Sequence, residues 1–168
     1  MKSFIKIILV VGISSFLLIG CSTKKQEKTI DNFINNLIST KTYENITSDE
    51  ADKFTEESKD IFKEYLSDDA FENLITNRIP YIYYNVINKN NIKDTTDIKI
   101  VKTKETDNDK YTYYEYEVTY KLKSDDKSKD MTDYMVFKIN EDNKSMIAEF
   151  HMIDKTSSIF KELKNTDQ

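Results

Sequence analysis

Tyr111-Thr112-Tyr113-Tyr114-Glu115-Tyr116-Glu117-Val118-Thr119-Tyr120-Lys121-Leu122-Lys123 decides the fold of this chain. Tyr114, Tyr116, Val118, Tyr120 and Leu122 fall on one side of an extended backbone. Tyr113, Glu115, Glu117, Thr119 and Lys121 fall on the other. Strict alternation of this kind predicts a strand with one face on a core and one in water. Upstream, Ile98 and Ile100 open a strand that closes in Thr106-Asp107-Asn108-Asp109. Downstream, a polar loop from Lys123 to Asp130 leads to a third strand with Met135, Phe137 and Ile139 on one face. Asn140-Glu141-Asp142-Asn143 reads as a tight turn without glycine, since asparagine accepts a positive φ at modest cost. A fourth strand then turns Met146, Ala148, Phe150 and Met152 inward. Residues 156–168 read as a polar tail, with a short helix through Ile159, Phe160 and Leu163 as an option.

N-terminal to this meander the period changes to that of a helix. Ile30, Phe33, Ile34, Leu37 and Ile38 recur at helical spacing opposite Asp31, Asn32, Asn35 and Asn36, and this helix ends near Thr40. Thr47-Ser48-Asp49-Glu50 has the spacing of a capping box. It opens a second helix through Ala51, Phe54, Ile61, Phe62, Tyr65 and Leu66. Ser67 or Asp68 can cap a third, which carries Phe71, Leu74 and Ile75. Ile79 to Ile87 fits a buried strand or a helix, with Pro80 acceptable in a first turn; the stripe 79, 82, 83, 86, 87 favours a short helix.

Helices followed by an antiparallel meander with one apolar face define an α+β domain, N-terminal helices packed on a curved antiparallel sheet of about four strands. Over residues 26–154 this order is similar to the NTF2-like or cystatin-like folds that recur in small bacterial lipoproteins. That resemblance implies a concave sheet face, on which NTF2-like enzymes place an acid–base residue.

The N-terminus specifies an address. Lys2 and Lys6 precede an apolar run, Ile7 to Ile19, that is too short for a span of about 20 residues and suits a secretory leader. Leu18-Ile19-Gly20-Cys21 resembles the lipobox of bacterial lipoproteins. The resemblance implies cleavage after Gly20 and a diacylglyceryl group on the Cys21 thiol, anchoring the chain on the extracytoplasmic face of the cell membrane. Buried methylenes contribute about 0.8 kcal/mol each, so two acyl chains hold where one is marginal. An uncleaved membrane anchor, or a free thiol at Cys21, is the alternative. The expected organisation is a signal peptide 1–20, a lipidated cysteine and tether 21–26, an α+β domain 27–155 and the tail 156–168.

Composition removes several function classes. Loss of the leader takes Lys2 and Lys6 with it and moves the net charge from −5 to −7, which disfavours nucleic acid as a partner. The acidity is concentrated between Gln26 and Ile79, with 13 acidic against 6 basic residues. Both glycines, Gly12 and Gly20, lie in the leader, so phosphate-cradling loops and nucleophile elbows lack the residue they need. His151 is the single histidine and Arg78 the single arginine. Asp107-Asn108-Asp109 and the Asp125, Asp126, Asp130 group lack the calcium-loop pattern, so neither a metal nor another cofactor is expected.

The tyrosines are the stronger clue, because an apolar ring with a polar tip suits pockets and interfaces as well as strands. The expected concave face consists of Tyr114, Tyr116, Val118, Tyr120, Leu122, Phe137, Met146, Phe150 and Met152, with no carboxylate or histidine; His151 sits beside Glu149 on the opposite face. Of these, Tyr114, Tyr116, Tyr120, Phe137, Phe150 and Met152 are the candidate ligand-facing residues, and no residue is assigned a catalytic role. The expectation is a noncatalytic, membrane-anchored binding module for an apolar small ligand or peptide. The alternatives are an accessory lipoprotein that places its acidic helical face on an envelope protein, and a small NTF2-like enzyme.

Overall fold

The computed structural model describes residues 24–166 other than 45, 47–49, 109, 141 and 154. The leader, Cys21 and most of the expected capping box lie outside the described residues. Helix α1 covers residues 24–38 and is followed by α2 (Thr40–Glu44), α3 (Ala51–Phe62), α4 (Asp68–Thr76) and α5 (Ile79–Lys89). Strands β1 (Asp94–Asp107), β2 (Tyr111–Lys123), β3 (Ser128–Asn140) and β4 (Asn143–Met152) form an antiparallel meander in that order, curved and unclosed, before α6 (Ser158–Thr166). The α+β architecture with helices preceding the sheet is therefore as expected. No helix among the described residues is long and apolar enough to cross a membrane.

Helix α1 is the central packing element. Ile30, Phe33, Ile34, Leu37 and Ile38 have no exposed surface. The Phe33 ring meets Phe137 at 5.9 Å and Phe150 at 5.0 Å on the sheet side, and Phe62 at 5.8 Å and Tyr65 at 6.3 Å on the helical side. Its end is satisfied by side chains: Tyr43 Oη donates to the Leu37 carbonyl at 2.6 Å, and Thr95 Oγ1 to that of Ile38 at 2.8 Å. Residues 24–26 belong to this helix, and Gln26 is buried with its Oε1 accepting from Tyr114 Oη at 2.7 Å. Residues 24–26, expected in the polar tether, are thus helical.

Ser67 caps α4 by accepting from the Ala70 amide at 3.2 Å, with Asp68 and Asp69 in the first turn where the helix dipole favours them. Helix α3 begins later than a capping box predicts, with Glu50 itself at the N-cap and no side-chain cap bond. Tyr65 and Leu66, expected in this helix, leave it. Leu66 lies parallel to Ile147, whose amide donates to the Tyr65 carbonyl at 2.8 Å, and so covers part of the free edge of β4. The ambiguous segment is helical: α5 starts with Pro80 in its first turn and buries Ile79, Tyr83, Val86 and Ile87.

Strand β2 alternates as its sequence predicts, with Tyr114, Tyr116, Val118, Tyr120 and Leu122 all buried. Strand β3 begins at Ser128 rather than after Asp130, so its buried face also includes Met131 and Asp133. In β4 the register with β3 shifts between Lys138 and Ile139, where Phe137 opposes Phe150 but Ile139 opposes Ile147. An extra residue at this bulge reverses the faces of the strand. Ile147 is therefore fully buried, and Met146 and Ala148 are only partly so, against the expected inward placement of both. Among the described residues the positive φ values fall at Arg78, Asn91 and Asp97; Glu141, in the expected Asn140–Asn143 turn, lies outside the described residues.

The C-terminal residues expected as a polar tail belong to the domain. Helix α6 docks on α5 and β3, with Ser157 and Ile159 fully buried. Ser157 Oγ accepts from the Tyr134 amide at 3.1 Å, and Ser158 Oγ from that of Thr132 at 3.0 Å.

Candidate functional site

The inner face of the sheet carries a carboxylate after all. Asp133 is fully buried on the same face of β3 as Met135 and Phe137. Its Oδ2 accepts from Tyr120 Oη at 2.6 Å and Tyr83 Oη at 2.8 Å. Its Oδ1 accepts from the Ile159 amide at 3.1 Å, and the Ser158 amide is a further donor to the carboxylate. Loss of water pushes the Asp133 pKa above its ordinary value, while the two phenols and two amides pull it back down. The same burial, with the Asp133 charge alongside, pushes the Tyr83 and Tyr120 hydroxyls well above theirs. Asp133 thus ties β2, β3, α5 and the first turn of α6 together, and its acceptor positions are taken by the protein itself. Extending the alternation backward from Met135 to 133 and 131 finds this residue; the unfavourable transfer of a carboxylate into a core argues against doing so.

The six candidate ligand-facing residues divide. Tyr114, Tyr116, Tyr120, Phe137 and Phe150 are buried among the protein's own side chains, with Phe137 against Tyr116, Phe150 and Phe33. Helix α1 occupies the space in which a ligand would lie. Burial raises the Tyr114 pKa to about 12. Phe150 and the partly buried Met152 also border a cavity of about 190 Å³ between β4, α4 and α6, shared with Leu74, Ile79 and Phe160. This volume is below the roughly 300 Å³ at which small-molecule sites begin.

On the outer face, Lys138 lies 4.0 Å from the Tyr111 ring and 5.9 Å from that of Tyr113, which accounts for the two tyrosines that core packing does not use. Lys138 also pairs with Glu149 at 3.1 Å, and His151 Nε2 lies 2.6 Å from the other Glu149 oxygen. These two partners hold the Glu149 carboxylate below its ordinary pKa. This is a solvated ion-pair cluster rather than an enclosed site.

Two further recesses open at the surface. A trough of about 650 Å³ runs between the end of α5 and the β2–β3 hairpin, where Lys129 pairs with Glu162 and Ser124 closes the hairpin on Lys127. Within it Asn90 Nδ2 also donates to the Val86 carbonyl at 2.8 Å. The other, about 240 Å³, lies between α3 and the α4–α5 junction and is lined by Ala51, Phe54, Ile75, Arg78, Pro80 and Tyr81. Phe54 meets Tyr81 and Tyr84 edge-on at 5.4 Å each, so its wall is a fixed aromatic group. Nothing in the sequence marks this cleft, because three helices contribute to it; only the uniqueness of Arg78 draws attention there.

Among the described residues no three histidine, cysteine, aspartate or glutamate side chains converge as metal ligands would. Compared with protein-family models, with curated proteins and with solved structures, the chain matches none of them.

Proposed function

We propose that this protein is a noncatalytic interaction module, anchored by lipid at Cys21 on the extracytoplasmic face of the cell membrane, that meets a protein partner through its helical layer. One observation carries the reading. Helix α1 fills the tyrosine-lined face of the sheet, while the apolar cleft that remains open lies among α3, α4 and α5. The lipobox-like Leu18-Ile19-Gly20-Cys21 supports the anchor, and the order of helices before an antiparallel meander is compatible with the NTF2-like or cystatin-like resemblance read from the sequence. The closed environment of Asp133 supports the absence of catalysis, since an acid or base must reach its substrate. Exposed Asp52, Glu56 and Asp60 on α3 favour a partner with a basic rim, which speeds encounter more than it tightens the complex.

The test is site-specific photo-crosslinking of the lipidated protein in its own membranes. A crosslinker in place of Glu56 on α3 forms a protein adduct; one in place of Lys121 on the outer sheet face does not. Adducts only at 121, or none at either position, would sink the reading.

A further inference from the structure

We infer that the cleft between α3 and the α4–α5 junction holds the C-terminal residue of a partner polypeptide. The apolar side chain lies against Phe54, Pro80 and Tyr81, and the α-carboxylate on the Arg78 guanidinium. The inference rests on the interaction-module reading and names the chemistry of its partner.

Three features of the cleft lead there. The first is the state of Arg78. It is exposed, and among the described residues its side chain makes no hydrogen bond or ion pair, although α3 and α4 around it are rich in acids. A planar, always-charged fork without a partner at the mouth of an apolar cleft is suited to a carboxylate.

The second is its backbone. Arg78 ends α4 in the left-handed region, at φ 56° and ψ 27°, with its amide on the Ile75 carbonyl at 2.8 Å. Glycine or asparagine adopts this helix-terminating conformation at less cost, about 1 kcal/mol for an ordinary residue. Pro80 in the next turn further restricts the junction. A backbone held in a disfavoured region by its surroundings points to a use for the side chain it presents.

The third is size and composition. About 240 Å³, open to solvent, is too small for a drug-sized ligand and suits one anchoring side chain. Thr55, also on the wall, already donates its hydroxyl to the Ala51 carbonyl at 2.8 Å, so Arg78 is the polar recognition element. An apolar slot and a single carboxylate anchor share this one small recess. In a polypeptide only the last residue carries an apolar side chain and a carboxylate on the same carbon. An internal aspartate or glutamate supplies the charge without the apolar group.

The experiment selects from a library of random heptapeptides displayed with free C-termini against the full-length protein in detergent, then compares the enriched peptide as free acid and as amide. The expected result is Leu, Ile, Val or Phe at the last position and at least tenfold tighter binding of the acid. Arg78→Gly removes the difference between acid and amide while melting no lower than the parent, because glycine relaxes the left-handed position. Arg78→Lys retains part of it. Random residues at the last position, equal binding of the amide, or unchanged binding by Arg78→Gly overturns the inference. So does binding of the acetylated terminal amino acid as tightly as the peptide, which marks a site for free small acids. Crosslinks at position 56 that persist in Arg78→Gly membranes leave the interaction module standing and remove only this site.

Discussion

Tyr83 Oη donates a 2.8 Å hydrogen bond to Asp133 Oδ2, joining the middle of α5 to the middle of β3 inside a closed core. Tyr120 donates to the same oxygen at 2.6 Å, and α6 begins on the other. Four segments therefore depend on one carboxylate, and its removal is the most direct probe of how the domain holds together.

Asp133→Ala orphans two phenols and two amides, and is expected to destabilise the domain by about 3–5 kcal/mol in urea titration. Tyr83→Phe and Tyr120→Phe remove one donor each and should cost about 1.5–3 kcal/mol. Because both tyrosines serve one oxygen, the double variant departs from the sum of the single ones. Additive costs would mean that the two bonds are independent.

The pH dependence of the same residue has a definite sign. Its folded pKa lies above its ordinary value of 3.8, so between the two the folded state holds a proton that the unfolded state has released. The proton-linked part of the Asp133 contribution is therefore fully present below 3.8 and is lost as pH rises through the folded value. Measured against Asp133→Asn, the parent gains relative stability on acidification. Urea midpoints of both proteins from pH 3 to 7 check this, and a parent that loses ground to the variant in acid would contradict it.

Phe33 touches four aromatic rings, two from the sheet and two from the helical layer. Phe33→Ala leaves a cavity with little freedom to collapse and should cost about 3–5 kcal/mol. Phe33→Leu should cost less than half as much. Chemical denaturation with a constant m-value separates lost packing from a changed unfolded state.

Cys21→Ser is expected to abolish lipid attachment without touching the domain. The variant should move from the membrane pellet and detergent phase to the aqueous phase, with the folded-state circular dichroism unchanged. A variant that stays with the membrane would place the anchor elsewhere.

Much of the architecture was readable along the chain because its signals are local and periodic. The alternation from Tyr111 to Lys123, the stripe from Ile30 to Ile38 and the cap at Ser67 each involve neighbours within a few residues. Their outcome depends little on the rest of the molecule. The failures have a different origin. The reversal at Ala148 is a bulge, which inserts a residue and inverts parity without a signature in composition. Asp133 escapes local pattern because a carboxylate is costly in a core unless donors surround it, and those donors come from residues 83, 120, 158 and 159.

The sequence by itself determined the layer order, the alternating faces of the central strand, the acidity of the helical half, and the confinement of both glycines to the first twenty residues. These follow from spacing and composition. Only the tertiary structure decided that the tyrosine face is core, that the last helix closes it, and that the open cleft gathers Phe54, Arg78 and Tyr81. Filling a cavity is a property of volumes brought together from distant parts of the chain, and no local pattern encodes whether a face, once formed, will be covered.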